Sequence, residues 1–84
     1  MRLRGAAAEV RYGYHIAARV GAWELVDGVL RGRVVDTNTA HLDSGGPFAL
    51  CVEMGPRLWT WPDAQIESMA GEAVVRVTGS PHVR

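Results

Sequence analysis

Four arginines carry the clearest chemical potential in this sequence. Arg11 and Arg19 alternate with apolar residues in VRYGYHIAARV, and Arg31 and Arg33 do so in LRGRV. Residues an even number apart on an extended chain point to one side, so each pair projects two guanidiniums from one face. Together they make a stripe able to grip carboxylate or phosphate oxygens with bidentate hydrogen bonds. The competing use is a solvated, ion-paired face, the ordinary fate of such charges, with Glu24 placed to neutralise Arg31. All nine basic residues are arginine and nine acidic residues balance them. Zero net charge argues against binding a nucleic acid by electrostatics alone, which needs a positive excess. Arginine in place of lysine, with abundant Ala, Gly and Val, reflects GC-rich coding and points to a bacterial or phage source.

The second chemical grouping is DTNTAHLDSGGP, Asp36 to Pro47, a polar surface loop at the long end of ordinary connections, where loops are mobile or functional. Its Asp36, His41, Asp43 and Ser44 include the residue types of a nucleophile, a base and an orienting acid, but no nucleophile elbow accompanies them. His41 and Asp43 are therefore read as binding rather than catalytic residues. His15, His41, His82 and Cys51 are the soft metal ligands, and no two have zinc-finger or zincin spacing, so neither metal nor cofactor is expected. Tyr12, Tyr14, Trp59 and Trp61 could form a stacking platform, but their register gives them to the core.

The element that positions most of the rest is FALCVEMGPRLWTW, Phe48 to Trp61. A type II′ turn at Gly55-Pro56 sets Val52 opposite Trp59 and Leu50 opposite Trp61, which puts Phe48, Leu50, Val52, Trp59 and Trp61 on one face. Asp27-Gly28 predicts a type I′ hairpin with Leu25 opposite Leu30, Glu24 opposite Arg31, and Trp23 opposite Gly32, where the indole lies across bare backbone or the chain bends. A last hairpin around Ala70-Gly71 pairs Ile66 with Val75 and Ala64 with Val77. Alternation from Val10 to Val20 predicts one long strand with Tyr12 and Tyr14 facing inward. Pro62 is expected to end its strand, with a 3₁₀ turn over WPDAQ. Residues 1–8 and 79–84 are expected to be frayed tails of a single domain spanning 1–84.

These elements specify an all-β fold: a small antiparallel barrel or two-sheet roll of about six strands, with an SH3-like arrangement ranked ahead of an OB-like one. No apolar run suits a membrane span or export signal, and the lone cysteine suits a reducing compartment, so the expected location is the cytoplasm. Val26, Val29 and Val74 fall on the solvent face of their hairpins. For a domain of 84 residues, which buries only about 60–65% of its unfolded surface, they suggest a self-association interface. The expected function is a non-enzymatic module that contacts another protein and forms homo-oligomers. Nucleic-acid binding through the arginine stripe is second, and a small hydrolytic or metal enzyme third.

Overall fold

Tight turns fold the chain into two successive three-stranded meanders. The computed structural model describes Arg2 to Arg84. The first meander is β1 (Arg2–Tyr12), β2 (His15–Val26) and β3 (Val29–Thr37); a one-turn helix α1 (Thr39–Leu42) leads to β4 (Phe48–Met54), β5 (Arg57–Ala70) and β6 (Glu72–Thr78), and β7 (His82–Val83) ends the chain. Pairing of β1 with β4 and of β3 with β6 closes the meanders into a six-stranded antiparallel barrel, and β7 adds to β5 outside it. No helix among the described residues is long and apolar enough to cross a membrane.

The three hairpins predicted from turn residues form with the expected facing pairs over most of their length, but two ladders slip. β2 carries an extra residue between Gly21 and Glu24, so Trp23 is not paired with Gly32, and β5 carries an extra residue between Ile66 and Ser68, so the last turn is at Gly71 with Ala70 paired to Glu72. Val52 faces Trp59 and Leu50 faces Trp61; Leu25 faces Leu30 and Glu24 faces Arg31; Ile66 faces Val75 and Ala64 faces Val77. Asp27 at φ 51° and Gly28 at φ 79° are the two left-handed residues a type I′ turn requires. Their inward side chains form the core, in which Trp23, Leu30, Leu50, Val10, Val20, Val52 and Val75 are each less than 2% exposed. Trp61 joins them, while Trp59 is half-buried with its indole tilted against Trp61.

Elsewhere the fold corrects the sequence reading. The expected strand Val10–Val20 is two strands joined by a turn at Gly13-Tyr14, and Tyr14 is fully exposed rather than inward. A bulge hid the turn. Tyr12 pairs with His15, but a register shift at Val10/Arg11 makes Val10 pair with Ala18; the extra residue restores the phase of the apolar alternation, so the period runs through the reversal as if the chain had gone straight.

Residues 2–8, expected to be a loose arm together with Met1, which lies outside the described residues, form the first part of β1. Their small side chains obscured the strand. A Cβ on Gly5 would stand 2.7 Å from Cζ2 of Trp23, so the indole lies over Gly5, not over Gly32, and its Nε1–H donates to the Ala7 carbonyl at 2.9 Å. Gly32 serves the other expected purpose, a bend, with Val20 packed against it.

Pro62 does not end β5. Leu50 pairs with Trp61 but Phe48 with Ala64, so β5 carries one extra residue here, and a proline in a bulge forfeits no ladder bond. Beyond it β5 pairs with β6, and the expected 3₁₀ turn is replaced by this crossing. The end of the 79–84 tail is likewise paired: His82–Val83 forms β7 on β5, and Leu58 and Arg84 exchange backbone hydrogen bonds of 3.0 and 2.9 Å. The start of the 36–47 loop is absorbed into β3, and α1 is capped by Asn38, whose side chain accepts from the His41 N–H.

Candidate binding groove

Two opposed bulges shape the outer surface where β1, β2 and β3 run side by side. Arg19 pairs with Asp36 but Val20 with Val34, so Val35 is an extra residue in β3; Gly21 pairs with Arg33 but Glu24 with Arg31, which puts an extra residue in β2. The second bulge holds Ala22 at φ 47°, a left-handed conformation that costs an L-residue roughly 1–2 kcal/mol. The bulges turn Gly21 into a floor: a Cβ there would lie 3.0 Å from Cγ2 of Val35. Ala6, Ala7, Ala8, Ala22 and Val35 surround it in a groove of about 640 Å³, with Arg19, Arg33 and Glu9 among the lining residues. Val35 is 58% exposed, a large share for an aliphatic side chain on a strand.

The strain at Ala22 yields a prediction with a distinctive sign. In an ordinary strand interior, replacing alanine by glycine destabilises by about 0.5–1 kcal/mol. Here Ala22→Gly should instead stabilise by up to about 1 kcal/mol, because glycine accepts the left-handed conformation without steric cost. Urea unfolding reads the difference directly; a lower midpoint for the variant would show that the bulge is unstrained.

The structure divides the four arginines of the predicted stripe. Arg11 is taken up by Glu9, with Nη2 and Nε donating to one carboxylate oxygen at 2.8 and 3.2 Å, and that hydrogen bond raises its pKa above the ordinary arginine value. Arg31 pairs with Glu72 at 3.4 Å rather than with Glu24, which is held by Arg2 at 3.0 Å. The reach across β3 to β6 decided this, a neighbour the hairpin alone does not reveal. Arg19 and Arg33 make no ion pair among the described residues. With Glu9 committed to Arg11, these two guanidiniums set the charge of the groove.

His41 and Asp43 lie outside it. The His41 ring stacks on His15 with centroids 4.5 Å apart and meets Tyr12 at 5.9 Å, and Tyr12 in turn meets Phe48 at 6.2 Å; this ties α1 to the tip of the β1–β2 hairpin. Asp43 is the exposed C-cap of α1. Ser44 donates its hydroxyl to the His41 carbonyl at 2.6 Å, so the loop's nucleophile and base types do not face each other. No group of three or more metal-ligating side chains occurs among the described residues. Cys51 is buried beside Thr60, its Sγ 3.6 Å from Oγ1.

Val26, Val29 and Val74 are half-buried on the outer face of β2, β3 and β6. Ladder pairing puts Arg76 opposite Val29 and Arg31 opposite Val74, so the valines alternate with arginines already paired to Glu67 and Glu72. Alanines 6, 7 and 22 and Val35, the groove's apolar wall, were not identified from sequence. The available signal was the Ala-rich run next to a strand interrupted at Gly21. No family model matches this chain, and neither a curated protein nor a solved structure does.

Proposed function

We propose that the chain is a non-enzymatic interaction module that holds a partner protein against the outer face of β1, β2 and β3. The observation that carries this is the groove itself: an exposed apolar wall, made by two bulges and a strained alanine, beside two arginines that make no ion pair among the described residues. Backbone strain persists where surrounding structure enforces it and concentrates at binding sites. Free guanidiniums next to small apolar side chains suit a polypeptide, which offers both backbone acceptors and side chains of each kind. Self-association through Val26, Val29 and Val74 is less well supported, since burying that face would desolvate the ion pairs between the valines.

Nucleic-acid binding is the second reading, because Arg19 and Arg33 have the chemistry phosphates require. Against it, the described residues that line the groove include no aromatic ring on which a base could stack, and such stacking supplies much of the affinity of single-strand binders. One experiment separates the readings. The immobilised domain is offered a random peptide library and random single- and double-stranded oligonucleotides at low salt, where phosphate contacts are strongest. The expected outcome is peptide enrichment that is lost on Val35→Glu, which places a charge in the apolar wall. Enrichment of oligonucleotides alone would transfer the function to the second reading.

A further inference from the structure

We infer that the groove receives an extended acidic peptide segment whose carboxylates, on alternate residues, are gripped one each by Arg19 and Arg33. This rests on the interaction-module reading and adds the chemistry of the partner. Arg33 pairs across the ladder with Gly21, two residues beyond Arg19, so the two arginines are diagonal neighbours on adjacent strands. The backbone positions of such neighbours stand about 7–8 Å apart, close to the roughly 6.6 Å between alternate residues of an extended chain, and the Arg33 guanidinium lies over Gly21, with Nη2 3.8 Å from where its Cβ would be. Two separated guanidiniums match two singly charged groups on one strand better than a single phosphate, which would draw both to one point. Between them the exposed Val35 covers the buried Gly21, so the ligand would meet the valine side chain between the two charges. Ala6, Ala7 and Ala22 leave room for a small aliphatic side chain at the next alternate position. The groove is open and about 640 Å³, suited to a few residues of chain rather than a folded domain.

The charge balance supports a carboxylate ligand. Glu9 is the one acidic residue lining the groove among the described residues, and its carboxylate is held by Arg11. Arg19 is flanked in the ladder by Glu9 and Asp36, and Arg33 faces Glu72. Glu9 is held by Arg11, however, Glu72 by Arg31, and Asp36 lies outside ion-pair distance, which leaves both guanidiniums without an ion pair among the described residues. Arg31, committed to Glu72, is an internal control for non-specific charge.

The test uses a short fluorescein-labelled peptide with two aspartates separated by one residue and a valine at the next alternate position, read by anisotropy on the intact domain. Arg19→Gln or Arg33→Gln should each weaken binding roughly tenfold or more, the effect of losing a hydrogen bond to a charged group. Replacing both aspartates by asparagine should do at least as much, Val35→Glu should abolish binding, and Arg31→Gln should leave it unchanged. Unchanged melting curves for the surface variants show that loss of binding is not loss of fold. Equal binding of the aspartate and asparagine peptides, an equal loss with Arg31→Gln, no binding of the aspartate peptide, or binding of an oligonucleotide in its place would each overturn the inference. So would concentration-dependent dimers abolished by Val35→Glu, which would make a second copy the occupant. If groove-dependent peptides emerge from the library without acidic residues, the carboxylate assignment fails while the interaction module stands; if no peptide depends on the groove, both fail.

Discussion

Trp23→Ala is expected to lower the melting temperature by more than about 12 °C, or to leave the chain unfolded at room temperature. Trp23 is 1% exposed, and truncating a core tryptophan costs about 3–5 kcal/mol. The loss extends beyond volume. The indole fills the space over Gly5 and its N–H satisfies the Ala7 carbonyl, so removing it opens a cavity between β1 and β2 and takes away a hydrogen bond beside the β2 bulge. A domain of this length has a total stability of roughly 4–13 kcal/mol, and each kcal/mol moves its melting point by about 4–8 °C. Far-UV circular dichroism against temperature measures the change, and a drop below about 5 °C would mean that the indole is not the keystone of the β1–β2 ribbon. A double-mutant cycle sharpens the test. Gly5→Ala alone should destabilise, since its Cβ would meet the ring at 2.7 Å; in the Trp23→Ala background that penalty should vanish, the non-additivity expected of residues in contact.

Gly32→Val should be nearly as damaging, against the direction of strand propensity, which favours valine over glycine. A Cβ at position 32 would fall 2.5 Å from Cγ1 of Val20, 2.9 Å from the Gly21 carbonyl oxygen and 3.1 Å from the Trp23 Cα. Two of these three atoms are backbone, so the clash cannot be relieved by rotating a side chain. Overpacking of this kind costs about 1–3 kcal/mol and more where the backbone must move. Urea unfolding should show a midpoint lowered accordingly, and a midpoint at or above that of the parent would place Gly32 outside the bend. Gly32 lies directly beneath the β2 bulge, so the same variant should disturb the groove above it. The outer site and the inner packing are two faces of one distortion.

That distortion marks where sequence reading reached its limit. Turn residues and alternation determined the all-β class, the hairpins at Asp27-Gly28 and Gly55-Pro56, a third hairpin whose turn falls at Gly71 rather than Ala70-Gly71, and the inward faces of Leu25, Leu30, Leu50, Val52, Val75 and Val77. These are local: a two-residue turn sets register, and register sets faces. The sequence also singled out Arg19 and Arg33, though not from Arg11 and Arg31. Tertiary structure made that separation: the β3–β6 closure sets Glu72 opposite Arg33 in the ladder, yet its carboxylate turns to Arg31, forty-one positions away, and Arg33 makes no ion pair among the described residues. Only the fold could show that the alanine run of β1 is a strand, that Pro62 rides through a bulge, and that the alternation from Val10 to Val20 conceals a reversal. A bulge adds one residue and inverts the phase of a period-two pattern, so a turn and a bulge together cancel in the sequence. The groove is made of the same elements, and its apolar wall is built from residues whose neighbours are set by strand closure rather than by position along the chain.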